Sequence, residues 1–132
     1  MRGVRSLADD ESGSSPVEFV LVGALLTLLT LGVLQLSLAI YVRNVVHDAA
    51  VEGAFHAALA DTALSEGADR TRAIVTRAVG AAYADDVDVR QTDRGGRSEI
   101  AVTIRTTLPL IGLLGAPRLL EVTAHAPVET LD

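Results

Sequence analysis

The side chains that could do chemistry are few and scattered. The chain has three histidines, His47, His56 and His125. His47 and Asp48 are adjacent and point about 100° apart on a helix, whereas Glu52 and His56 at i, i+4 share a face and make half of a metal site. No HExxH or comparable pair completes it, so the histidines read as surface residues with local ion pairs. There is no cysteine, hence no disulfide framework, thiolate ligand or thiol nucleophile. All eleven basic residues are arginine, so Schiff-base and P-loop lysine chemistry are absent from this chain. No GxSxG or SxxK places a serine as nucleophile. The reading is of a chain that is not an enzyme, with no catalytic, cofactor or metal site and no small-molecule substrate. A net charge of −6 without a basic cluster also argues against nucleic acid as a partner.

One carboxylate remains in an unusual place. Glu18 stands at the mouth of a run from Phe19 to Val42 that contains no charge and one amide, Gln35. Ser15-Pro16-Val17-Glu18 fits a capping box, with serine as N-cap, proline at the first helical position and glutamate at the third. At 1.5 Å per residue the run spans roughly 36 Å, enough to cross a hydrocarbon core of about 30 Å. Its length also excludes an ordinary secretory signal cut after Ser37-Leu38-Ala39, since such apolar regions run about 7 to 15 residues. An ionisable group beside such a run is costly and calls for a partner. Arg2 and Arg5 before the run, against Arg43 after it, put the N-terminus in the cytoplasm.

What positions these residues follows from periodicity. With 132 residues there is room for one membrane helix and one small folded unit. Residues 1 to 12 form a polar leader. Beyond Val42 no proline intervenes, and Val45, Val46, Ala49, Ala50, Phe55 and Leu59 recur at helical intervals, so the membrane helix continues to about Leu59. Gly53 inside it means either local flexibility or close backbone approach. Ser65-Glu66-Gly67 reads as a turn and Ala68 to Ala84 as a second amphipathic helix. Val87 and Val89, then a Gly95-Gly96 turn, then Ile100, Val102, Ile104 and Thr106, alternate as a β-hairpin. Leu119 to Val128 makes a third strand. The fold class is therefore α+β, with a long N-terminal transmembrane helix, a second helix and a three-stranded antiparallel sheet. The apolar connector Leu108 to Arg118 is either a turn under the sheet or a contact with membrane or a neighbouring subunit.

Gly13, four residues, Glu18 and a long apolar run resemble the class III signal of type IV prepilins. More narrowly, Gly13-Ser14-Ser15-Pro16-Val17-Glu18-Phe19 looks like the G-x-x-x-VEF opening of TadE-like proteins of the tight-adherence (Flp) pilus system. Ala49-Ala50-Val51-Glu52-Gly53-Ala54 is similar to their A-x-E-G-A-R segment, departing at Phe55, and the late hairpin running into Leu108-Pro109-Leu110 looks like their C-terminal half. The resemblance implies a minor pilin or pseudopilin: a leader at 1–13 removed by a prepilin peptidase after Gly13, a membrane helix at 14–42 and an extracytoplasmic domain at 43–132. It implies a new amine at Ser14 that pairs with Glu18 of a neighbouring pilin within the apolar helix bundle of a filament, and a precursor held in the lipid bilayer of the inner membrane. Gln35, deep in the span, hydrogen-bonds either across helices in an assembly or within its own helix. The alternative is a single-pass anchored binding module, unrelated to pili, that keeps its leader.

Overall fold

The computed structural model describes residues 14–109 and 119–130. The leader, with Gly13, and residues 110–118 of the apolar connector lie outside the described residues. The chain divides into two compact units, residues 1–35 and 36–132.

Helix α1 runs without interruption over Ser14–Ala58, close to the end expected at Leu59. Its residues from Leu36 belong to the second unit, where Ala39, Val42, Val46, Ala49, Ala50, Gly53, Ala54, Ala57 and Ala58 are buried at helical spacing. Burial thus begins inside the stretch read as membrane-spanning to Val42.

Helix α2 covers Leu64–Ala78. The expected turn at Ser65-Glu66-Gly67 is instead its first turn. Glu66 explains part of this, since its Oε1 accepts from the Ala63 N–H at 3.5 Å and so satisfies a helix-start donor. Gly67 explains the rest, because it lies against α1, where tertiary packing overrides glycine's weak helix preference. The helix also stops earlier than Ala84. Gly80 adopts φ 111°, a conformation an L-residue resists, and a single 3-10 turn at Ala81–Tyr83 follows.

The sheet is a meander in the order β1-β2-β3, with β1 at Asp86–Arg94, β2 at Arg97–Thr107 and β3 at Leu119–Pro127, all antiparallel. Gly95 and Gly96 both have positive φ, as the two-residue turn between β1 and β2 demands. Registers such as Val87↔Ile104 and Ile104↔Val122 align the apolar face expected from the alternation. That face joins α1 and α2 in one core, with Val46, Val75, Val102 and Ile104 fully buried. Ala101 and Thr103 were expected on the opposite, polar side and yet are buried too. They sit on the central strand, Ala101 between Arg90 and His125 and Thr103 between Asp88 and Thr123, and Thr103 shares a 3.0 Å hydroxyl contact with Thr123.

Candidate membrane and assembly segment

Ser14 and Glu18 lie on one side of α1, one turn apart. The Ser14 hydroxyl donates to Glu18 Oε1 at 2.9 Å. This differs from the capping box expected on Ser15, which lies within α1 rather than at its cap. Helical geometry brings i and i+4 together, so Ser14 is the hydroxyl that the carboxylate reaches. Both residues are exposed.

The following turns are lined by bulky aliphatics that no described part of the protein covers. Leu21, Leu25, Leu29 and Leu34 are each about 60% exposed, and Phe19 is 79% exposed. In water such a surface is a large uncompensated loss, at roughly 25 cal/mol per Å² of apolar area. In a bilayer it is the ordinary outer face of a spanning helix. The hydroxyls agree with that solvent: Thr27 Oγ1 donates to the Gly23 carbonyl and Thr30 Oγ1 to the Leu26 carbonyl, each at 2.8 Å. In lipid every polar group has to be satisfied from within the protein, and backbonding of this kind does so. Gln35 is half-buried at the end of this unit.

Further along α1 the helix surface changes from bulky to small. At Gly53 an added Cβ would strike the Thr71 hydroxyl and lie 3.0 Å from the Gly67 carbonyl oxygen; at Gly67 it would lie 2.5 Å from Ala57 Cβ. Gly53 is therefore a point of close approach between α1 and α2, one of the two meanings its position allowed. Thr71 is buried there and donates to the Gly67 carbonyl at 2.8 Å, with the Ala49 carbonyl at 3.4 Å. At the rim Arg70 Nε donates to Glu52 Oε1 at 2.9 Å. Glu52 thus pairs across helices and not with His56. The signal for this contact was in the sequence as small residues one turn apart on both helices, Ala49, Gly53 and Ala57 facing Gly67 and Thr71.

The histidines are not brought together. His47 lies 3.7 Å from Asp48, and His125 lies 3.8 Å from Glu99 on the sheet. Among the described residues no group of three His, Cys, Asp or Glu could hold a metal ion. A groove of about 360 Å³ near the end of α1 has Asp61, Gln91, Ile100 and Glu129 in its walls, two carboxylates and an amide among apolar groups. On the outer face of the sheet Arg105 Nε donates to Glu121 Oε2 at 2.9 Å, and Asp86 lies 3.7 Å from the same guanidinium. That hydrogen bond and the Glu121 charge raise the Arg105 pKa above its ordinary value, with Asp86 adding to them.

Among the described residues, α1 is the single helix long and apolar enough to cross a membrane. A small α+β unit follows it. Residues 13–54 match the TadE-like protein family. The match begins at Gly13 and ends at Ala54, so it contains both motifs on which the resemblance was drawn, while the late hairpin lies outside it. Neither a curated protein nor a solved structure matches the chain.

Proposed function

We propose that the protein is a minor pilin or pseudopilin that takes part in assembly of a Tad (Flp) type IV-like pilus, after a prepilin peptidase cuts between Gly13 and Ser14. The observation that carries this reading is the family match, which opens at Gly13 and covers the exposed apolar stretch of α1. Glu18 lies in that stretch between exposed apolar side chains, Val17 on one side and Phe19 on the other. In this reading the N-terminus is cytoplasmic, the domain is extracytoplasmic, and the inner membrane holds the precursor. The role is structural rather than catalytic.

The electrostatics supply a reason for Glu18. Before cleavage its carboxylate is served by the Ser14 hydroxyl. After cleavage Ser14 carries an α-amino group, and in a bundle of such helices that cation can pair with Glu18 of a neighbour. An unpaired charge in the same apolar bundle would be penalised by several kcal/mol. Glu18 then sets the register between subunits.

Expression of the full chain together with its own prepilin peptidase tests the proposal by intact mass and N-terminal analysis. A chain beginning at Ser14 is expected. A chain that keeps residues 1–13 under those conditions overturns the pilin reading and leaves a membrane-anchored binding module. Glu18→Ala is expected to be cut normally yet to be depleted from the sheared pilus fraction; wild-type recovery there would remove the register role.

A further inference from the structure

Two arginines face each other at the tip of the β1-β2 hairpin. Arg94 and Arg97 are partners in the register, on either side of the Gly95-Gly96 turn. Like charges directly opposite one another across a strand pair are destabilising. Both side chains are exposed, and among the described residues neither forms an ion pair. Asp93, next to Arg94 in the chain, accepts from the Gly96 N–H at 2.9 Å and so closes the turn. Elsewhere on this face of the sheet the arginines are matched, Arg90 with Asp88 and Arg105 with Glu121 and Asp86.

The groove near the end of α1 has the opposite character. Ala57, Ile100 and Val128 give it apolar walls, and its carboxylates are Asp61 and Glu129. Both carboxylates are exposed and without an ion pair among the described residues. Backbone bonds hold the segments that carry them: the Thr62 N–H donates to the Leu59 carbonyl at 3.3 Å, and the Glu129 N–H to the Ala58 carbonyl at 3.0 Å. A guanidinium suits such a place, because its planar fork bonds carboxylates while its methylene stem lies along apolar surface.

The arginines of the same molecule do not fill it. Ile100 is on the core face of β2, and Gln91, its partner in register and also in the groove wall, shares that face. Arg97 and Arg94 each stand three residues from these toward the turn, an odd number, so the alternation of a strand turns them to the opposite face. Three residues of strand cover roughly 10 Å, so tip and groove lie at the same end of the unit. A second copy in the same orientation, displaced sideways, brings its tip level with the groove.

We propose that the groove bounded by Asp61 and Glu129 receives Arg94 and Arg97 of a second copy of this chain. The two halves of the contact are different surfaces, so it is head-to-tail and repeats from copy to copy. At a net charge of −6 the copies repel one another over most of their surface, and an unmatched pair of guanidiniums meeting unmatched carboxylates fixes where they touch. The contact needs neither cleavage after Gly13 nor Glu18, so it stands apart from the function proposed above.

Sedimentation of the full, uncleaved chain in dodecyl maltoside, over a series of concentrations at low and high salt, tests the contact. The wild type is expected to self-associate at low salt and less so at high salt. Arg94→Ser with Arg97→Ser, and separately Asp61→Asn with Glu129→Gln, should each weaken association by roughly tenfold; asparagine is chosen because φ at residue 61 is 64°. Mixing the two variants should restore association, through the intact tip of one and the intact groove of the other, and should stop at dimers because each variant lacks the other half. That mixture also shows both variants to be folded. A wild type that stays monomeric, association that either pair of substitutions leaves unchanged, or a mixture that forms no dimer overturns the proposal.

Discussion

The two halves of α1 share one backbone conformation and differ in everything that touches it. From Phe19 to Leu34 the helix carries leucine, valine and phenylalanine on all sides, and every one of these side chains is exposed. From Ala39 to Ala58 its buried face is alanine, valine and glycine at helical spacing. A helix that faces lipid gains nothing from having one small face, because its solvent is apolar in all directions. A helix that packs on another helix and a sheet gains from small residues, because dispersion contacts need close approach. The glycines make the point within one helix: a Cβ added at Gly23 or Gly32 meets nothing within 4 Å, and at Gly53 it meets Thr71 and the Gly67 backbone.

The comparison can be broken at several places. Ile104→Ala, at a fully buried position of the central strand, is expected to destabilise the domain by about 3 kcal/mol in urea titrations of the detergent-solubilised chain. Leu29→Lys should leave the domain's urea midpoint alone and disfavour insertion by about 3 kcal/mol, read as loss of carbonate-resistant membrane association. Gly53→Val should lower domain stability by about 2 kcal/mol through overpacking against α2, whereas Gly32→Ala should leave the same midpoint unchanged. If both glycine substitutions had the same effect, the division of the helix would lose its support. The smallest effect is expected for Arg105→Gln, which removes exposed pairs with Glu121 and Asp86: a small drop in stability at low salt that vanishes as ionic strength rises.

Much of the fold could be read from residue order because its signals are local. The uncharged run to Val42 announces a spanning helix, and the period-two alternation with Gly95-Gly96 announces the hairpin. The errors came where a local cue competed with a distant one. Ser65-Glu66-Gly67 has turn composition, but Gly67 is helical because α1 leaves no room there for a side chain. Ala82 and Tyr83 continue the apolar spacing of α2, yet Gly80 turns the chain before them. Glu52 and Arg70 are eighteen residues apart, and their pairing depends on how two helices cross. At the candidate site, Glu18 was recognisable from its position against the apolar run, while its bond to Ser14 follows from the one-turn spacing within a helix that already includes Ser15.

The division of α1 between lipid and protein can be measured directly with single cysteines placed from Val20 to Phe55 in the full-length chain, labelled with a water-soluble maleimide in sealed membranes and again in detergent. Val20 to Leu34 should be unreactive in membranes and reactive without helical periodicity in detergent. Between Ala39 and Phe55, Asp48 and Phe55 should react in both, and Ala49 and Ala50 in neither. A protected stripe at helical spacing between Val20 and Leu34 that persists in detergent would show that protein covers this segment, and would contradict the account.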